Sequence, residues 1–331
     1  MDRKLKVLIL IKPFDQLYPK HASKMDMITA IEKHAEVRYW HKDGRLTDIL
    51  SQLAFTPDFI FHYDTGHKAK PFAPDIKGLA QTKIAKGCFV IDAHTNEALR
   101  AAYFKDNRID LIFSVGKHAF LTAFPRFKKK FRWLPWAINP KVFYDRKQKK
   151  EMMLLLMGLV HTPTAANKGY KTPAKGKYAF RDHVLSVFRD HPDFFYIPHP
   201  GHLTDKEKGM MNENYAKAIN RAHIFFTCGA RIPRVGSYPV QKFFEVPASK
   251  TLLLAESNRD IEELGFVNGV NYVACTTDNV YKKARYYMKN PAERIKITEA
   301  GYKFIHKKHT NDVRAKQFVE MVKDFLLRKK N

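Results

Sequence analysis

Short apolar runs alternate with longer amphipathic stretches along the whole chain. "LKVLILI" (5–11) has the continuous apolar character of a buried strand. "ASKMDMITAIEKHA" after it spaces its apolar residues three to four apart, the period of a helix. "VRYWH" predicts a second strand and "LTDILSQLAF" a second helix. The alternation runs on through "PDFIFHYD", "KGCFVIDAH", "NEALRAAYFKD", "IDLIFSV", "KHAFLTAF" and "KFRWLPWAI". Strands that feed helices in this way predict a mostly parallel sheet covered on both faces.

At "NPKVFYDRKQKKEMM" the pattern resets, and a polar, Lys-rich connector leads into "EMMLLLMGLV", the first strand of a second unit. That unit continues through "RDHVLSVFRDHP", "DFFYIPHPG", "HIFFTCG", "VQKFFEVPA", "KTLLLAE" and "VNYVAC", and "DVRAKQFVEMVKDFLLRKK" closes the chain as an amphipathic helix. No internal repeat interrupts the series. The expected architecture is α/β, two doubly wound Rossmann-like domains facing a central cleft. They cover 1–145 and 146–312, with the helix of 313–331 packing back on the first. Such sheets bind ligands outside the carboxyl ends of their strands, and domain interfaces favour the same place.

The length of 331 residues suffices for two cores, and 45% hydrophobic with 13% aromatic residues sets the chain among globular proteins. No apolar stretch nears the roughly 20 residues needed to span a bilayer. "MDRKLKVLILIKPFDQ" reads as a first strand and not a signal peptide, because its apolar run is short and no small-residue cleavage site follows. Cys88, Cys228 and Cys275 are far apart and lack metal-like spacing, which predicts unpaired thiols in a reducing, cytoplasmic setting. The net charge of +26 is shared almost evenly between residues 1–150 and the remainder, so the excess belongs to the body of the protein and not to a tail. A field of that size draws polyanions: nucleic acid, an anionic membrane face, or phosphate-bearing polymers and substrates. A lineage-wide preference for lysine is the alternative.

Several chemistries lack their motifs. There is no GxGxxG after the first strand, no GxxxxGK[ST], no HExxH and no paired CxxC, and "RVGSYP" lacks the second glycine of a nucleophile elbow. No metal site is expected. "GARIPRVGSYPVQKFFEVPASKTLLLAE" is more informative, since it places a Gly-Ser-Tyr-Pro turn at the start of a helix. Backbone N–H groups there, with the helix dipole, can hold a diphosphate. Glu245, two turns into that helix, can accept two hydroxyl hydrogen bonds from a ribose. The alternative makes Glu245 a solvated helix residue and Gly236 an ordinary turn.

The segment from Tyr215 to Val322 resembles the C-terminal half of the GT-B glycosyltransferases, in particular the group related to the spore maturation protein CgeB and its YkvP relatives. The resemblance rests on Lys242-Phe243-Phe244-Glu245, on Ala248-Ser249-Lys250, and on "EELGFVNGVNYVAC", "MKNPAERIKITEAGYKFIHKKHT" and "VRAKQFVEMV". It extends less sharply to "LLMGLV…YAFRDHVL", "PDFIFHYD", "FVIDAHTN" and "WLPWAINPKVFYD". It implies transfer of a sugar from a nucleotide diphosphate donor, UDP as the leading nucleotide, without a required metal or other cofactor. Carried over by position, Glu245 binds the donor ribose, Gly236, Ser237 and Tyr238 line the diphosphate and sugar, and Arg181 and Lys242 neutralise the phosphates. Retaining relatives carry a Glu-x7-Glu pair ending at this carboxylate. Here Ser237 stands at the first position. The Gly-rich loop frequent after the first strand of such folds is replaced by "IKPFDQLYPKHASK".

The reaction builds positive charge at the anomeric carbon and negative charge on the leaving diphosphate. An inverting mechanism also needs a base on the acceptor side. His94 with neighbouring Asp92 in "FVIDAHTN" is the first choice, then Asp64 and His67 in "FHYDTGH". A strand-end Asp also often caps the next helix. "HPGH" (199–202) is a strand-end turn near the donor. "FPRFKKKFRWLPW" interleaves Arg126, Lys128, Lys129, Lys130 and Arg132 with aromatic residues, a composition that suits a nucleic-acid groove or an anionic membrane surface. The aromatics could equally be core, with the cations a solvated edge. The leading acceptor is a hydroxymethylated base in double-stranded DNA, reached by base flipping. A cell-envelope or spore-surface polymer is the second, and a non-catalytic nucleic-acid or polymer-binding protein of GT-B architecture the rival.

Overall fold

The computed structural model describes residues 3–65, 72–164, 166, 168, 172–199 and 212–330. Two units form. The first gathers the chain up to residue 17, Lys24–Pro135 and the chain from Asn311 onward, and the second gathers Tyr18–Ser23 and Trp136–Thr310.

The first unit is built on a six-stranded sheet in which every neighbouring pair is parallel. Its order is Ala35–Trp40, Leu5–Leu10, Phe59–His62, Ala85–Val90, Leu111–Ser114, Phe131–Trp133. Phe59–His62, Ala85–Val90 and Leu111–Ser114 are buried at every position, which is why they do not alternate, although Ala85–Val90 carries the buried Lys86. The helical pattern over 22–35 divides into an α-helix, Ala22–Thr29, and a 3-10 turn, Ala30–Lys33, which tightens the chain directly before the strand Ala35–Trp40. The helix Asn311–Lys330 lays Phe318 against Phe61 and Phe113, with ring centroids 4.8 and 5.0 Å apart.

The second unit has a five-stranded parallel sheet in the order Phe194–Pro198, Met152–Gly158, Ala222–Thr227, Leu252–Glu256, Val273–Cys275. The helices Ala179–Phe188 and Val280–Lys289 pack on one core with Leu154, Leu156, Phe226 and Leu254. Pro291 opens the helix Pro291–Lys308 at a position where the missing N–H costs nothing. Gly301 of that helix admits the Asn271 carbonyl, which a Cβ would meet at 2.5 Å.

Counted along the sequence, both sheets have their second strand outermost, then the first, then the third and onward. The winding direction therefore reverses between first and third strands. In the second unit this switch point lies between Met152–Gly158 and Ala222–Thr227, and ligands bind outside the carboxyl ends of the strands at such a point.

Candidate functional site: a buried charge cluster at the switch point

Gly158 ends the first strand of the second unit with φ +138°, a backbone conformation closed to most side chains. A Cβ there would stand 3.0 Å from Arg181 Nη1 and 3.7 Å from Lys242 Cε, so the missing side chain is what lets the Arg181 guanidinium close over the strand end, with the Lys242 stem in contact beside it. Arg181, on the helix Ala179–Phe188, is buried. Its Nη2 donates to the Cys228 carbonyl at 3.1 Å and to Thr227 Oγ1 at 3.4 Å, both at the end of the neighbouring strand, and its guanidinium lies over the Tyr178 ring. Its Nε is buried with no hydrogen-bond partner among the described residues. Lys242 is half-buried beside it, its ammonium 5.4 Å from the centre of the Tyr215 ring. Burial, reinforced by Arg181, pushes the Lys242 ammonium down to about 8, against the pull of Glu245.

Glu245 is 6% exposed. The Tyr215 hydroxyl donates to its Oε2 at 2.9 Å. Burial raises the carboxyl above its ordinary value, and Lys242 and the Tyr215 hydrogen bond partly oppose the rise. A carboxylate with one phenol on it has further lone pairs to offer. Two cations and one carboxylate thus meet at the carboxyl ends of the central strands, with the Arg181 Nε unpartnered among the described residues.

The first unit carries a comparable knot at its strand ends. Arg100, fully buried on the helix Glu97–Asp106, donates to Asp64 Oδ1 at 3.0 Å, to the Thr65 carbonyl at 2.7 Å and to the Thr95 carbonyl at 3.0 Å. It binds the loop after Phe59–His62 to the loop after Ala85–Val90. Asp64, at φ +38°, also accepts from the Ile91 backbone N–H at 3.4 Å. Asp92 and His94 lie half-buried on the second of these loops, which the Asp92 carbonyl closes by accepting from Thr95 N and Oγ1.

The sequence pattern of the family described as "Glycosyl transferase-like" matches residues 174–320. No curated protein sequence gives a significant match to the chain. Among solved structures, sucrose-phosphate synthase (tll1590) from Thermosynechococcus elongatus is similar with a TM-score of 0.61 at 9% identity, over 98% of this chain and 100% of its own. Anabaena Alr3699/HepE, in complex with UDP and glucose, gives 0.58 at 10% identity over 97% and 100%. AviGT4, a glycosyltransferase involved in avilamycin A biosynthesis, gives 0.57 at 13% over 98% of each. The fold is GT-B.

Within this GT-B chain the second unit brings Arg181, Lys242 and Glu245 together. The "GSYP" stretch departs from expectation. Gly236–Tyr238 is a strand of an antiparallel hairpin with Ala230–Ile232, and Arg234 at φ +65° and Gly236 at φ +92° serve its turn. The helix begins only at Lys242 and has seven residues, so Glu245 lies in its first turn and not its second, and the Gly-Ser-Tyr segment does not start this helix. The local signal for a turn was correct, but the pairing that makes it a hairpin is non-local. Ser237 instead lines a cavity of about 460 Å³ with Arg231, Glu256, Thr276 and Lys283.

Asp64 is buried and paired with Arg100 through Oδ1, and His67 and Pro200–His202 lie outside the described residues. The aromatics of "FPRFKKKFRWLPW" are interior: Phe131 stacks on Phe120 at 4.9 Å, Phe127 meets Phe104 edge-on at 5.1 Å, and Phe124 and Trp136 are buried. Arg126, Lys128 and Lys129 are exposed, whereas Lys130 is half-buried with its ammonium on the Ile109 carbonyl, and Arg132 bonds the Lys129 and Phe131 carbonyls. Sequence reasoning missed Gly158 and Gly229. The signal for Gly158 was its place at the end of the first apolar run of the second unit. Gly229 gave none, because what it touches, Ser237 Oγ and the Tyr238 carbonyl at 2.5 Å from its absent Cβ, is placed by the hairpin.

Proposed function

We propose that the protein is a glycosyltransferase that moves a sugar from a UDP-linked donor to an anionic acceptor. One observation carries the reading: two cations, Arg181 and Lys242, converge over Gly158 at the switch point with the buried Glu245 carboxylate beside them. A nucleoside diphosphate needs that combination, cations for its phosphates and a carboxylate for its ribose hydroxyls. The family match over 174–320 and the UDP and glucose held by the Anabaena protein support the class and the nucleotide. The order Lys242-Phe243-Phe244-Glu245 supports the CgeB- and YkvP-like group within it.

In this reading Glu245 grips the ribose, while Arg181 and Lys242 hold the diphosphate and stabilise the charge that it gains on leaving, the work a divalent cation does in other transferases. Gly158 lets the phosphates approach the backbone. Ser237 and Tyr238 border the sugar. His94, steered by Asp92, takes the proton of the attacking hydroxyl. The buried, unpaired Cys88, Cys228 and Cys275 fit a reducing, cytoplasmic compartment. The charge excess supports an anionic acceptor, a class that contains both a hydroxymethylated base in DNA and an envelope or spore-surface polymer. Duplex affinity that stays flat as salt rises would remove the DNA member, since phosphate-driven binding must weaken.

The test is to incubate the protein with UDP-, ADP- and GDP-sugars and follow nucleotide release together with thermal protection. Slow release from a UDP-sugar and a raised Tm with UDP are expected, both lost in Glu245→Ala. If no nucleotide sugar is hydrolysed and no nucleotide raises Tm, the reading fails. Ser237 in place of a glutamate favours the second reading, a GT-B protein that binds a polymer without catalysis. UDP protection without release from any donor would select it.

A further inference from the structure

All strands of the first sheet are parallel, so the residues that precede each strand gather at one edge, opposite the carboxyl ends that hold Asp92 and His94. Arg3, Lys83, Arg108 and Lys130 stand on this edge, ahead of Leu5, Ala85, Leu111 and Phe131. The end of the helix Asn311–Lys330 joins them. Lys323 and Lys329 line a cavity of about 410 Å³ together with Arg3 and Lys83, and Lys329 reaches Asp110 at 3.5 Å. Arg328 stands near enough to Arg132 to reinforce the lowering that burial imposes on it, and Lys86 is held down by burial with Lys329, Arg108 and Lys130 adding to it. Asp58, which lines the cavity, is paired with Arg3 at 2.6 Å.

Between these cations and Asp58 the cavity has an apolar part, walled by Leu5, Pro57, Ile84, Ala85 and Leu326. Leu327 lines it too and is 63% exposed, an uncovered leucine between the cations of the helix end. A nucleic-acid groove sets aromatic rings under the bases. The rings of the neighbouring basic segment point inward onto Phe120 and Phe104, so that segment offers no such platform. Cations surrounding exposed leucine match a bilayer with anionic headgroups, where the charges meet phosphate and the apolar side chain enters the acyl boundary.

We propose that this edge of the first unit docks the protein on an anionic phospholipid surface, with Leu327 inserted and Arg3, Lys83 and Lys329 on the headgroups. The inference stands apart from glycosyl transfer, because its readout is partitioning and not turnover. The experiment is co-sedimentation of the full chain with vesicles of phosphatidylcholine alone and of phosphatidylcholine with phosphatidylglycerol. Binding to the second kind only is expected. Lys83→Glu with Lys329→Glu should weaken it by at least about 25-fold, roughly fivefold for each cation removed. Lys282→Glu with Lys289→Glu, the same charge change on exposed positions of the second unit, should weaken it far less. Leu327→Ala should release the protein at a lower salt concentration. All four substituted cations and Leu327 are exposed, and an unchanged Tm confirms that each variant folds. The proposal is overturned by absence of binding to the anionic vesicles at low salt, or by equal losses in the two charge-reversed pairs. It is also overturned if the Lys83 and Lys329 changes abolish duplex DNA binding while leaving vesicle binding intact.

Discussion

Arg181 Nη1 lies 3.0 Å from the point where a Cβ on Gly158 would stand, and Gly158 holds φ at +138°. Gly158→Ala therefore meets two obstacles at once, a strained backbone and a displaced guanidinium. The expected outcome is a stability loss of about 1–3 kcal/mol, read by thermal unfolding. UDP affinity should fall by about tenfold or more, the effect of losing one charged hydrogen bond to phosphate, read by titration calorimetry. A Gly158→Ala protein that binds UDP like the wild type would detach this glycine from the site.

The Lys242 and Glu245 shifts set a pH window for the donor. Binding needs the Glu245 carboxylate ionised, and burial raises its pKa above the ordinary 4.5, so affinity should climb as pH rises through that raised value. Lys242 loses its proton at about 8, so affinity should fall above that pH. A diphosphate beside the ammonium favours its protonated form, hence binding near pH 8 takes up protons and its measured heat varies with the ionisation enthalpy of the buffer. Lys242→Arg should abolish both the upper limb and the proton uptake.

Stability follows the same shifts with opposite signs. Between about 8 and 10.5 the folded protein holds fewer protons at Lys242 than the unfolded chain, so this group's contribution to stability rises with pH across that window. From 4.5 upward to its raised value, Glu245 holds more protons in the folded state, and its contribution falls as pH rises. Glu245→Gln should flatten the acid-side slope in denaturant titrations while weakening UDP. An unchanged slope would place the carboxyl's titration elsewhere.

Arg100 is fully buried, and its loss leaves the Asp64 charge without its partner. Arg100→Met should cost about 3–5 kcal/mol, with part recovered in Arg100→Met with Asp64→Asn. Because Arg100 also holds the Thr95 carbonyl next to His94, the double variant should lose turnover and keep UDP affinity. Equal loss of both would mean that the damage is global.

Gly229→Ala drives a methyl group against Ser237 Oγ and the Tyr238 carbonyl. The hairpin must shift, at about 1–3 kcal/mol. If Ser237 and Tyr238 border the sugar, a UDP-sugar should lose affinity while UDP keeps it, a comparison that calorimetry makes directly.

What the sequence disclosed followed the physics of burial. Strands such as Phe59–His62 and Leu252–Leu254 are interior on both faces and announce themselves as apolar runs. Arg181, Lys242 and Glu245 could be carried over by resemblance because they sit on regular elements at fixed offsets. The Arg100–Asp64 pair was invisible because its partners are 36 residues apart, and an arginine inside "NEALRAAYFKD" looks like any solvated helix cation. The hairpin at Gly236–Tyr238 was misread for a related reason: its partner strand Ala230–Ile232 is three residues long, too short for periodicity to register.

The Tyr215 phenol already rests on the Glu245 carboxylate. An incoming hydroxyl that takes the same lone pair must displace a like group, and that contact then yields only the difference between two bonds of one kind. Discrimination at this position is then a matter of competition, and shortening Tyr215 to phenylalanine should make the Glu245 carboxylate more receptive, and less choosy.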